Sequence, residues 1–122
     1  MKILIIEDDA YVAQMLADSL RVQGHEPMTA LNASDGLALL DREQPEGVFL
    51  DLVMPGVSGL EALRRIRERA PNLPVVVVTG FATPSEIEEA RRLGVADVIE
   101  KPFVLRRLAA ALSAIGVRRP CS

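Results

Sequence analysis

A chain of 122 residues has room for one domain around one hydrophobic core, and 49 % hydrophobic with 25 % charged residues is the balance of an ordinary soluble domain. A net charge of -3 gives no field for nucleic acid, and 3 % aromatics give no platform for stacking bases. No stretch approaches the ~18 apolar residues of a membrane span, the first apolar run is too short for a signal peptide, and the lone Cys121 rules out an internal disulfide and suits a reducing compartment.

The elements alternate along the chain. Ile3–Ile6, short, apolar and rich in β-branched residues, reads as a buried strand, and it ends in Glu7-Asp8-Asp9. Val12, Met15, Leu16 and Leu20 then follow helical spacing, with Gly24 as the stop. Pro27–Ala30 is a weak second strand at an edge, because proline has no N–H to give to a ladder. Asn32 or Ser34 can cap a second helix carrying Leu37, Leu39 and Leu40.

Val48–Leu50 is the third strand and runs into Asp51. Ser58 with Glu61 three residues later is the pattern of a capping box, opening a helix with Leu60, Leu63 and Ile66 that stops before Pro71. Val75–Val78, apolar on both faces, is a central strand and ends in Thr79-Gly80. Pro84 and Ser85 open a fourth helix with Ile87, Ala90 and Leu93, closed by Gly94. Ala96–Ile99 is the fifth strand, followed by Glu100-Lys101-Pro102. Leu105, Leu108, Leu112 and Ile115 mark a fifth helix, and the polar end beyond it reads as frayed. Repeated strand–helix units with strands apolar on both faces indicate a parallel sheet covered by helices on both sides.

In such a sheet the strand ends lie along one edge, which gathers Glu7, Asp8, Asp51, Thr79 and Lys101. Each has an ordinary reading when taken alone. Asp9, directly before the first helix, is more simply an N-cap than a site residue, and Glu7 and Asp8 could equally be local capping groups. Asp51 could be a metal ligand and nothing more, Thr79 a strand residue and Lys101 a surface lysine. The case rests on convergence. Two carboxylates about 5 Å apart repel by roughly 3 kcal/mol at an effective dielectric near 20, so the cluster calls for a hard cation on oxygen ligands, Mg²⁺ or Mn²⁺. A carboxylate beside such a cation can also attack phosphorus and form an acyl phosphate. Lys101 is one of only two lysines against twelve arginines, which slightly favours a chosen point charge.

Taken in order, Glu7-Asp8, Asp51-Leu52-Val53-Met54-Pro55-Gly56, Ser58-Gly59, Thr79-Gly80 and Lys101-Pro102-Phe103 resemble the receiver domain of two-component response regulators. The resemblance runs from Lys2 to about Ile115. It implies a doubly wound (βα)5 flavodoxin-like α/β fold of strand order 2-1-3-4-5. The domain is expected over residues 1–116, with 117–122 a flexible tail and no output domain. The resemblance further implies Asp51 as phosphoacceptor, and Asp8, Asp51 and the Val53 carbonyl as Mg²⁺ or Mn²⁺ ligands, with Glu7 acting through water. Thr79 and Lys101 would contact the phosphoryl group, and the Lys101–Pro102 bond would be cis. The implied partners are a sensor histidine kinase or a histidine phosphotransfer protein as donor. Output would go to a downstream protein or an output domain through the fourth helix, fifth strand and fifth helix, with a phosphorylation-dependent dimer left open. Neither nucleic-acid nor membrane binding is expected, and the location would be cytoplasmic. Catalysis would be limited to the chain's own phosphorylation and dephosphorylation.

Three positions depart from the family pattern. Val53 and Phe81 are apolar where polar side chains facing the site are frequent, and Val98 stands where many receivers carry Tyr or Phe. Three alternatives use the same sheet edge. A Mg²⁺-dependent phosphatase or phosphotransferase with an aspartate nucleophile would carry an acid two residues after it, and Val53 is there instead. A flavin or nucleotide module would carry a glycine-rich phosphate loop, which is absent. An unphosphorylated interaction module has no use for the full acid, threonine and lysine set.

Overall fold

The structure is a computed structural model and describes residues 1–54, 58–80, 82–101 and 110–116. Its strands are β1 (Lys2–Ile6), β2 (Glu26–Ala30), β3 (Gly47–Asp51), β4 (Val75–Thr79) and β5 (Asp97–Glu100). They alternate with helices α1 (Ala10–Val22), α2 (Ala33–Glu43), α3 (Gly59–Arg69) and α4 (Pro84–Arg92), and residues 110–116 are helical as well. The strands form one parallel sheet in the order β2-β1-β3-β4-β5, as the resemblance implies.

Alternation of side chains along each strand divides the core in two. Leu4, Ile6, Val48, Leu50, Val75 and Val77 face α2, α3 and α4. Ile3, Ile5, Phe49, Val76, Val78 and Ile99 face α1 and residues 111–115. β3 and β4 are buried at every position, as expected of strands covered on both faces. β2 lies at an edge and is only partly covered, and Pro27 in it is paired with Ile3.

The helix boundaries follow from local chemistry. Asp9 caps α1, its carboxylate accepting the N–H groups of Tyr11 and Val12. Asn32, of the two candidates, caps α2 by accepting the Asp35 N–H. Ser58 caps α3 through the Glu61 N–H, but the expected capping box is only half formed, because the Glu61 carboxylate accepts from Arg64 and Arg65 instead. The complete box belongs to α4, where Thr83 and Glu86 bond each other's backbone N–H groups. Gly24 and Gly94 follow their helices with φ of 86° and 75°, while α2 ends in a left-handed Gln44 at φ 48°.

Arg67 joins two loops at the far end of the sheet from the acids. Its guanidinium donates to the carbonyls of Leu93 (2.6 Å), Gly94 (3.2 Å), Ala70 (3.3 Å) and Leu73 (2.6 Å). Three of these carbonyls lie at helix ends and in loops, where the helix leaves carbonyls without an internal partner, and that of Ala70 also accepts the Leu73 N–H.

Several expectations fall on residues outside those described: Pro55 and Gly56, Phe81, the Lys101–Pro102 bond, Phe103, Leu105 and Leu108 of the fifth helix, and the tail 117–122.

Candidate functional site

The register aligns the strand ends, so that Ile6 pairs with Leu50, Asp51 with Val78 and Thr79 with Glu100. Glu7, Asp51 and Lys101 continue the alternation of Ile5, Phe49 and Ile99 and so stand over the α1 side of the sheet. Beneath the carboxylates lie Ile5, Leu16, Phe49 and Val78, an apolar floor.

Three of the expected acids meet there. Glu7, Asp8 and Asp51 each present an oxygen within 4.8 Å of the others. Asp8 is exposed, whereas Glu7 and Asp51 are 2 % and 3 % exposed. The Lys101 ammonium bridges the two buried acids, donating to Glu7 Oε1 and, at 3.2 Å, to Asp51 Oδ2. Asp51 Oδ1 accepts the Val53 N–H at 3.0 Å, which turns the carboxylate toward the loop. Val53 itself is 43 % exposed at the rim.

Thr79 is buried at the end of β4, and its backbone carbonyl accepts the Lys101 N–H at 2.9 Å. Its hydroxyl accepts the Ala82 N–H at 3.0 Å, tying the β4 end to the loop that leads into α4. Val98 is buried among Ala90, Val95 and the other residues facing α3 and α4.

The electrostatics favour a cation. Burial pushes the Glu7 carboxyl up to about 8, the neighbouring Asp51 adds to the shift, and Lys101 opposes it. Burial works against the Lys101 ammonium, but the two carboxylates outweigh that and hold its pKa above the ordinary lysine value. With all three acids ionised, the cluster and Lys101 together carry a charge of about -2. Glu7 Oε2 is buried and has no hydrogen-bond partner among the described residues. Such an oxygen in native protein marks a place for an ion or water. An all-oxygen donor set suits a hard divalent cation, so the residues present fit Mg²⁺.

The bridging of Glu7 by Lys101 was not legible in the sequence, which assigns that lysine to an incoming phosphoryl oxygen. Glu7 precedes Lys101 by 94 residues, and only the parallel register brings them together.

Comparison with known proteins points the same way. The sequence profile of the response regulator receiver domain matches residues 3–113. The response regulator protein FleR of Pseudomonas aeruginosa is 39 % identical over 107 residues, covering 88 % of this chain and 23 % of FleR. The transcriptional regulatory protein AfsQ1 of Streptomyces coelicolor is 36 % identical over 113 residues, covering 93 % of this chain and 50 % of AfsQ1. The chain thus spans about a quarter to a half of the length of these relatives. Among solved structures, a CheY-like receiver domain protein from Methanospirillum hungatei superposes with a TM-score of 0.91 at 25 % identity, over 96 % of this chain and 94 % of that one. NtrX from Brucella abortus matches with a TM-score of 0.88 at 34 % identity, over 96 % of this chain and 28 % of its own. With its fold, its acid cluster and these relatives in agreement, the chain belongs to the response regulator receiver domain family, the phosphoacceptor switch of two-component signalling.

Proposed function

We propose that Asp51 is the phosphoacceptor of this chain and that Glu7, Asp8, Thr79 and Lys101 serve its phosphorylation. The observation that carries this is the junction of two buried carboxylates under one ammonium, with a third carboxylate beside them at the rim. The donor is the phosphohistidine of a sensor kinase or phosphotransfer protein. One oxygen of Asp51 forms the new bond to phosphorus as the bond from phosphorus to the imidazole nitrogen breaks, and that nitrogen leaves with the electron pair.

The chain's own groups have distinct tasks. The Val53 N–H holds Asp51 Oδ1 and so fixes the attack direction. Lys101, already on Asp51 Oδ2, is placed to follow the charge onto a phosphoryl oxygen. The Thr79 hydroxyl can donate to a second phosphoryl oxygen while it accepts from Ala82. Asp8, Asp51 and the Val53 carbonyl would hold Mg²⁺ directly and Glu7 through water; bound there, the ion neutralises charge on the transferred group. The floor of Ile5, Leu16, Phe49 and Val78 keeps bulk water from below.

The chain acts as one receiver unit, works in the cytoplasm, and catalyses only its own phosphorylation and its reversal. Its output passes through the α4, β5 and C-terminal helix face to a partner protein or an output domain. No helix among the described residues is long and apolar enough to cross a membrane. The test is incubation with a small acyl phosphate and Mg²⁺, followed by intact-mass measurement. One phosphate is expected on the wild type, and none on Asp51→Asn or in the presence of a chelator. Equal labelling of Asp51→Asn refutes the assignment.

A further inference from the structure

Gly59 is the first residue of α3 and has no titratable or polar side chain, yet it is packed against the backbone that carries the phosphoacceptor. A Cβ at this position would lie 2.2 Å from Leu52 Cα, 2.4 Å from the Asp51 carbonyl oxygen and 2.6 Å from the Leu52 carbonyl carbon. All three are main-chain atoms, so no side-chain rotation relieves the overlap. The Gly59 N–H also donates to the Leu52 carbonyl at 3.0 Å. The next residue, Val53, donates the N–H that aims Asp51 Oδ1.

We propose that Gly59 is a positioning residue for the phosphoacceptor: its lack of a side chain lets the first turn of α3 seat on the Asp51–Leu52 peptide, and that seat fixes the aim of the Asp51 carboxylate. This rests on the reading of Asp51 as the phosphoacceptor. The side that yields to a larger residue is set by anchorage. α3 is held by Ala62, Leu63 and Ile66, each 0 % exposed, and at its far end by the four carbonyl bonds of Arg67. The segment after Asp51 is held by the Leu52 and Met54 side chains, by a long 3.3 Å bond from the Leu52 N–H to the Val78 carbonyl, and by Gly59 itself. If the segment moves, the Val53 peptide moves with it. If the helix moves instead, the Gly59–Leu52 bond opens and the Val53 peptide loses its brace. Both routes turn the Asp51 carboxylate and displace the Val53 carbonyl, while the two halves of the core remain.

The experiment compares wild type, Gly59→Ala and Ile66→Val, the last a buried core substitution seven residues further along the same helix. Melting curves, Mg²⁺ affinity by calorimetry, the Val53 amide resonance in metal-free protein, and the maximal phosphorylation rate with a small acyl phosphate are read for each. All three proteins are also measured in trimethylamine N-oxide, which favours the compact state. The expected result is a folded Gly59→Ala with Mg²⁺ affinity and maximal rate each down at least tenfold and a displaced Val53 amide, and an Ile66→Val close to wild type in all three. Wild-type affinity and rate in Gly59→Ala overturn the proposal. So does an equal loss in Ile66→Val, or a Gly59→Ala that stays unfolded in the osmolyte, because the glycine is then a folding determinant only. A wild type that accepts no phosphate on Asp51 refutes the underlying reading instead, and is seen before any variant is made.

Discussion

Replacing Glu7 by Gln in metal-free protein isolates the electrostatic conflict at the centre of the site. The two side chains have the same shape, and Gln can still accept a hydrogen bond from Lys101. Glu7 is pushed up to about 8 by burial and by Asp51, against an ordinary 4.5. Between about pH 5.5 and 7.5, therefore, the unfolded chain has released this proton while the folded chain keeps it. A folded-state pKa raised on an acid means that rising pH favours the unfolded chain. Stability should fall by about 1.4 kcal/mol per pH unit across the window, or roughly 3 kcal/mol in all, and level off above pH 8. Glu7→Gln has no proton to lose and lacks this fall. His25 is displaced downward by its burial and the nearby N-terminal ammonium, so it adds stability as pH rises through its own range. That contribution is common to both proteins and cancels in the difference. Urea unfolding in a chelator at pH 5.5 and 7.5, followed by circular dichroism, gives the measurement. With a slope of about 1–3 kcal/mol per M, the wild-type midpoint should move by about 1–3 M relative to the variant. Saturating Mg²⁺ should remove the fall in the wild type. Midpoints that move in parallel refute the reasoning. They would mean that Glu7 is a charged anchor of Lys101 at every pH tested.

Two other outcomes follow from the same geometry. Val53 stands at the rim of the site, 43 % exposed, and offers no side-chain hydrogen bond to a water attacking the aspartyl phosphate; Val53→Asn should shorten the lifetime of the phosphorylated protein several-fold, since a positioned polar group contributes on the order of a few tenfold to such steps. An unchanged or longer lifetime by intact-mass time course counts against that account. The hydroxyl of Thr79 accepts the Ala82 N–H, so a beryllofluoride adduct at Asp51 should shift the amides of Ala82–Ile87 most and those of Val98–Lys101 less, and Thr79→Val should abolish the first set. A response confined to residues 110–116 refutes the coupling.

The sequence carries most of the architecture because each strand is short, apolar and ended by polar residues. The apolar runs Ile3–Ile6 and Val75–Val78, rich in β-branched residues, have only one place to go, and glycine or proline punctuates nearly every connection. The strand order is different, since it came with the family resemblance and not from any residue pattern. Misreadings concentrate at caps, where a few hydrogen bonds decide. Thr83 and Glu86 spell the same box as Ser58 and Glu61, but Glu61 is three and four residues from Arg64 and Arg65, and those bonds take its carboxylate. Gln44 gives no sign of a left-handed turn, because it lacks the usual glycine. At the site, the residue types were legible and their pairing was not. Nothing in a linear reading joins Glu7 to Lys101 or sets Gly59 against Leu52, because both contacts exist only once the strands are in register and α3 is packed.

The two ends of α4 are secured very differently. At the C-terminal end Arg67 grips the carbonyls of Leu93 and Gly94 and ties them to the loop after α3. At the other end, among the described residues, the Ala82 N–H donates to the Thr79 hydroxyl at the phosphorylation site. Pushed from the threonine, α4 would act as a lever with its fulcrum at the arginine and its handle at the threonine. Nine residues make an arm of about 13 Å at 1.5 Å per residue, so a tilt of about 10° carries the handle roughly 2 Å while the fulcrum stays in place. Were phosphorylation of Asp51 to turn that hydroxyl, the helix would swing most beside Pro84 and least beside Arg92.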